Sequence, residues 1–281
     1  STPERTLHPG TVLTYIDRNF TLADNIDQVQ AGTNNINQIS GCRFTDVSNT
    51  NRDYYIKLNP NSPVTIFDNV FINSGVNPSP NNAGVIWDHY PGLVTLTNCK
   101  FIRITGRSTN EGAVFTSNAA NNGQVIMDRC EFIDCGRDGG QGLITILHPQ
   151  SSIKFYDCNF TFDNPSRSYR VLDIRTNDAL FDGCRFTGCG DKALYLAKGA
   201  TETSPQGTFQ FTNNLVQTCR GKFIDGEKIV TKPIIDNNIF EDTTLENLYL
   251  IHILHNQDLI EINNNTFSRI TTSGDDENKC G

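Results

Sequence analysis

One four-residue pattern recurs nine times along the 281-residue chain and constrains its fold more than any other feature. The copies are GCRF at Gly41 to Phe44, DNVF at Asp68 to Phe71, NCKF at Asn98 to Phe101, RCEF at Arg129 to Phe132 and DCNF at Asp157 to Phe160. GCRF at Gly183 to Phe186, NNLV at Asn213 to Val216, NNIF at Asn237 to Phe240 and NNTF at Asn264 to Phe267 complete the set. Taking the second residue as reference gives Cys42, Asn69, Cys99, Cys130, Cys158, Cys184, Asn214, Asn238 and Asn265, spaced 24 to 31 residues apart. A period of this size marks a solenoid, since one unit cannot bury its own apolar face and its neighbours must stack on it.

Within each unit the apolar positions are equally regular. Three residues before the reference stand Ile39, Ile66, Leu96, Met127, Phe155, Phe181, Phe211, Ile235 and Ile262, and two residues after it stands Phe, or Val once. Polar corner residues such as Asp68, Asn98, Asp182 and Gly183 separate them. Alternation broken by a short Asn, Asp or Gly corner describes two short strands meeting at a bend, and no segment sustains a 3.6-residue apolar period. A third apolar stretch precedes most references by ten to fifteen residues, as in YYIKL from Tyr54, GVIW from Gly84, VLDI from Val171 and ALYLA from Ala193. Three short strands per repeat, each paired with its counterpart about 4.8 Å away, predict a parallel β-solenoid of about nine coils, a rod roughly 40 Å long.

From Ile39 to Phe267 the chain resembles right-handed parallel β-helix proteins, the pectate-lyase-like superfold. The inward ladders carry the resemblance, with Asn214, Asn238 and Asn265 matching the Asn ladder of that family. The fold class expected is therefore all-β, a single right-handed parallel β-helix with inward Asn, Cys and Phe ladders. A narrower similarity is to polymorphic outer membrane protein repeats, whose signature joins GGA plus Ile, Leu or Val to FxxN. Here Gly112, Ala113 and Val114 follow Glu111, Phe115 to Asn118 and Phe211 to Asn214 read FxxN, and no autotransporter barrel accompanies them. Residues 1–38 lack the motif and are expected to form an irregular capping start, residues 39–270 the helix, and residues 271–281 a solvated tail.

Nine cysteines leave at least one unpaired within the chain. Adjacent rungs hold Cβ atoms farther apart than a disulfide needs, which favours stacked, buried thiols at Cys99, Cys130, Cys158 and Cys184 over a disulfide ladder. Cys135, Cys189 and Cys219 fall five residues after their own references, again in register, while Cys280 lies on the tail. Cys130 and Cys135 lack zinc-site spacing and an accompanying histidine.

Thirty-one acids against 23 bases, with the bases scattered, exclude a nucleic-acid partner, and no apolar run reaches the roughly 20 residues of a membrane span. Sequons at Asn19, Asn159 and Asn264 are candidate glycosylation sites and suit an extracellular or cell-surface location, whereas unpaired thiols suit the cytosol better.

The resemblance implies that any chemistry lies along one outer face. The outward positions of the third strand set are Lys57, Trp87, Asp173, Arg175, Tyr195, Asp225 and Glu227. Trp87, Tyr195 and Lys57 are candidate sugar-binding residues, and Asp173, Arg175, Asp225 and Glu227 candidate catalytic ones. Asp173 and Asp225 would stand two rungs apart, about 9.6 Å, near the upper limit for inverting glycosidases. Charged and aromatic residues are, however, what any outward face carries. Thr176, Asn177 and Asp178 permute the Asn-Thr-Asp motif of polygalacturonases, and the rest of that site is not found in order. Asp128, Asp157 and Asp182 recur near successive bends, where Asp caps turns, so no cofactor is expected and calcium is not favoured. His89, His148 and His255 share one corner position on non-adjacent coils and cannot converge on a metal; His252 and His255 are expected on opposite faces.

The expectation is a non-catalytic surface solenoid, adhesive or structural, that binds a glycan or surface protein without inserting into a membrane and can self-associate through its ends. The alternative is a carbohydrate-active enzyme, a lyase or hydrolase, using a groove along one sheet.

Overall fold

The computed structural model describes residues 12–21, 35–45, 54–58, 63–72, 84–88, 92–104, 114–117, 123–136, 142–146, 151–163, 171–174, 178–196, 208–226, 232–245, 249–253 and 260–272. These form parallel strands throughout, in two ten-stranded sheets and one of eight, with a two-stranded sheet from Thr244–Leu245 and Thr271–Thr272. The first sheet runs from Val12–Ile16 to Glu261–Asn263, the second from Asn19–Thr21 to Thr266–Ser268, and the third from Tyr54–Leu58 to Ile251–Ile253. The molecule is a parallel β-helix with three strands per coil.

The corner between the first two sheets explains the recurring motif. The residue before each reference adopts positive φ: Asp17, Gly41, Asp68, Asn98, Arg129, Asp157, Gly183, Asn213, Asn237 and Asn264, all between 50° and 68°. Only Arg129 departs from Gly, Asn and Asp, the types that tolerate this left-handed region. The corner stays fully hydrogen-bonded, because its N–H donates to the next rung, as Asp68 N does to Thr97 O at 3.1 Å and Asn98 N to Asp128 O at 2.9 Å. A second corner follows each second-sheet strand. There Gly188 has φ +71°, and an added Cβ would stand 2.0 Å from the Phe162 carbonyl oxygen, so only glycine fits.

Within residues 1–38, DRNF at Asp17 to Phe20 has the same build as the nine motifs. Its strands pair Tyr15 with Ile39 and Phe20 with Phe44, so this segment contributes a rung to each of the first two sheets. The reference position is Arg18 there, neither Cys nor Asn, which hides the copy from a search keyed on those residues.

The interior consists of columns. Phe20, Phe44, Phe71, Phe101, Phe132, Phe160 and Phe186 stack along the second sheet, with ring centroids 4.5 to 5.2 Å apart and planes within 10°. Val216 interrupts the column between Phe186 and Phe240. Phe223 fills the resulting space, touching the rings on both sides of the gap at 5.1 Å from Phe186 and 6.2 Å from Phe240.

At the reference positions Asn and Cys are interchangeable because both reach the same carbonyl. Asn238 accepts from Asn214 N at 2.8 Å through Oδ1 and donates through Nδ2 to Phe211 O at 2.7 Å. Asn69, Asn214 and Asn265 repeat this on Cys42 and Ile39, on Cys184 and Phe181, and on Asn238 and Ile235. Cys99, Cys130 and Cys158 direct their thiols at the equivalent carbonyls, Ile66 O, Leu96 O and Met127 O, at 3.4 to 3.6 Å. The thiol supplies the weaker donor, and its sulfur is a weaker acceptor for the N–H than the amide oxygen. Asn238→Ala is therefore expected to cost about 3 kcal/mol, two buried backbone groups losing their partners, with Asn238→Cys falling between it and the parent in denaturant titrations.

Candidate functional site

The third sheet brings the sequence candidates into one column. Lys57 pairs with Trp87, Trp87 with Thr116, Thr116 with Thr145, Thr145 with Asp173, Asp173 with Tyr195, Tyr195 with Asp225 and Asp225 with His252. From Thr116 to Asp225 each belongs to a strand whose flanking residues point into the core, as Leu194 and Leu196 do around Tyr195, so this part of the column faces outward. Lys57 and Trp87 are placed here by backbone register alone, and Arg175 and Glu227 lie outside the described residues. So do His89, His148 and His255.

The two carboxylates of the column are withdrawn from solvent. Asp173 is 1 % exposed and Asp225 fully buried, as are Thr116 and Thr145 beside them. Neither of these two positions carries a solvent-facing acid, whereas a groove along this sheet belongs to the alternative reading of the sequence, a carbohydrate-active enzyme. Thr145 Oγ1 has no hydrogen-bond partner among the described residues.

Asp225 is instead the centre of a charge cluster. His252 Nδ1 donates to its Oδ1 at 2.8 Å, while Lys192 Nζ and Lys222 Nζ stand 3.1 and 3.2 Å from its Oδ2. Burial alone would raise the carboxyl pKa, but the hydrogen bonds from His252, Lys192 and Lys222 outweigh it and hold the pKa below the usual carboxylate range. Tyr195 lies under the Lys192 ammonium, 5.8 Å from ring centroid to nitrogen. Tyr249 stacks on the His252 ring at 5.4 Å and is half exposed.

Lys192 and Lys222 were not singled out by the sequence, and His252 was read there only for the face it occupies. Their signal was present: DKALYL and GKFIDG align so that each Lys stands three residues before the column position, and the strand LYLIHIL puts His252 in step with Asp225. A solenoid stacks these offsets on one face, so residues far apart in sequence meet around one carboxylate.

Among the described residues the cysteines form no reactive centre. Cys42, Cys99, Cys130, Cys135, Cys158, Cys184, Cys189 and Cys219 are all free and buried. Burial pushes the Cys135 thiol up to about 12, and the neighbouring thiol of Cys158 together with burial raises Cys130. Such thiols stay protonated and are poor nucleophiles. Cys280 lies outside the described residues.

Of the sequon asparagines, Asn19 and Asn159 occupy the same exposed outward position of the second sheet, and Asn264 sits on a corner where its Nδ2 donates to Asp236 Oδ1 at 3.0 Å. Among the described residues no three His, Cys, Asp or Glu side chains converge as a metal site. No helix among them is long and apolar enough to cross a membrane.

Comparison with known proteins agrees with this architecture. A family described as "Right handed beta helix region" matches residues 83–267, about two thirds of the chain. No curated protein matches the sequence.

Proposed function

Because the chain belongs to the right-handed beta-helix family, we propose that it acts as a non-catalytic binding solenoid whose third sheet presents fixed charge and aromatic surface to a glycan or protein partner. The observation that carries this reading is the state of Asp225. A glycosidase acid must keep its proton near neutral pH, which requires a raised pKa, whereas Asp225 is buried, lowered and neutralised by Lys192 and Lys222. Its carboxylate anchors two cations and an imidazole in place. With Tyr195 and Tyr249 beside them, these groups form a preorganised patch of the kind that binds polar ligands by hydrogen bonding and ring stacking. The solvent exposure of the sequon residues Asn19, Asn159 and Asn264 suits a setting outside the cell or on its surface.

One contact favours a second reading. An imidazole oriented by a carboxylate at 2.8 Å is the arrangement of a general base, and His252 keeps part of its ring open to solvent. A polysaccharide lyase or glycoside hydrolase would be built on that pair rather than on two carboxylates.

A polysaccharide panel separates the two. The binding reading expects retention on at least one glycan or surface protein, weakened by Tyr249→Ala, with neither reducing ends nor unsaturated product released, with or without calcium. Product that vanishes in His252→Ala would overturn it in favour of the enzyme.

A further inference from the structure

The outer face of the first sheet carries a cluster that the third-sheet patch does not use. Tyr156 turns outward there, next to the buried Phe155, and its hydroxyl has no partner among the described residues. In register with it stand Asp128 on one neighbouring rung and Asp182 on the other. Two residues earlier on the same strand, and so on the same face, lies Lys154, flanked in register by Ile126 and Leu180. We propose that this cluster is a second binding site, separate from the third sheet, and that it takes an uncharged sugar ring of a glycan.

Three observations carry it. The first is that both carboxylates are held in place with one oxygen still open. Asp182 Oδ1 accepts from Asn213 Nδ2 at 2.7 Å and from Thr212 Oγ1 at 3.2 Å, and Asp128 Oδ2 accepts from Arg129 Nη2 at 2.8 Å. The second oxygen of each has no partner among the described residues. A pyranose has a rim of hydroxyl donors around an apolar face, and fixed acceptors on both sides of a phenol ring match that layout. Ile126 and Leu180 extend the apolar surface beside the ring.

The second observation is the corner that follows Asp128. Arg129 is the one residue in its column of corners that is neither Gly, Asn nor Asp, yet it adopts φ 50°. Such a residue is strained in the left-handed region, and what its guanidinium gains is the contact that orients Asp128.

The third is charge. On the outer faces Lys100 pairs with Glu131 and Lys232 with Glu261 along the rungs. Lys154 forms no ion pair among the described residues, although Asp128 and Asp182 lie on the strands to either side. A carboxylate on each side of the ring repels an acidic sugar, and Lys154 and Arg129 oppose a cationic ligand. An uncharged sugar meets neither barrier, donates to the open oxygens and accepts from Lys154.

The test is calorimetric titration of the 281-residue chain with uncharged oligosaccharides of glucose, mannose and xylose, and with oligogalacturonate as the acidic control. The expected result is saturable binding of at least one uncharged probe and none of the acidic one. Tyr156→Ala and Asp182→Asn should each weaken it about tenfold with unchanged far-ultraviolet circular dichroism, while Tyr156→Phe, which keeps the ring, retains most of it. Tyr249→Ala, on the third sheet, should leave it intact. No binding of any uncharged probe at millimolar concentration, or tighter binding of the acidic one, would overturn the proposal. Binding lost in Tyr249→Ala and kept in Tyr156→Ala would overturn it as well, while leaving the third-sheet reading standing.

Discussion

Replacing Phe186 by alanine should lower stability by about 3 to 5 kcal/mol, the range for deleting a fully buried aromatic ring. The ring is wholly inaccessible and touches four others, stacking on Phe160 at 4.8 Å and meeting Phe181, Phe211 and Phe223 at 5.9, 5.7 and 5.1 Å. Two backbones held by parallel ladders flank the gap and cannot collapse into it, so the loss lies toward the upper end of that range. The neighbouring rung supplies a companion experiment. Val216→Phe should be destabilising by about 1 to 3 kcal/mol, since Phe223 already occupies the volume that a ring would need. Combining it with Phe223→Ala should recover most of that loss. Equilibrium denaturation of the four proteins in this cycle measures the coupling, and simple additivity would show that Phe223 does not substitute for the missing ring.

Asp225→Asn should cost about 3 kcal/mol at neutral pH. Removing one partner of a buried ion pair commonly costs 3 to 5 kcal/mol, because the remaining charge is left uncompensated. The lower value applies here because Lys192 and Lys222 keep 27 % and 14 % of their side-chain surface and can turn toward water. The pH dependence has a definite sign. The Asp225 pKa is lowered on folding, so its contribution is complete above the unfolded value of about 3.9 and is lost as pH falls through the lower folded value. The stability gap between parent and variant should therefore stay level from neutral pH down to about 5 and close in the acid range below about 4.

The Asn, Cys and Phe columns were legible because a solenoid turns sequence period into spatial contact. A residue such as Asn238 finds its partners, Asn214 N and Phe211 O, one period back along the chain, and every rung repeats the relation. The column of Lys57, Trp87, Asp173, Tyr195 and Asp225 was legible for the same reason. Its chemistry was not: alternation assigned Asp173 and Asp225 to an outward face, and nothing in alternation says whether that face meets water. The rung at Asp17 to Phe20 escaped notice because Arg18 stands where other rungs carry Cys or Asn.

By itself, the sequence determined the architecture of this protein: a parallel β-helix with stacked interior ladders, since inward residues have partners fixed by the repeat and few alternatives to burial. Only the tertiary structure decided two further matters. Asp225 became the buried centre of Lys192, Lys222 and His252, and Phe223 took the place of a ring missing at Val216. The repeat specifies what lies one rung away, whereas charge pairing across strands and volume compensation depend on distances that no period encodes.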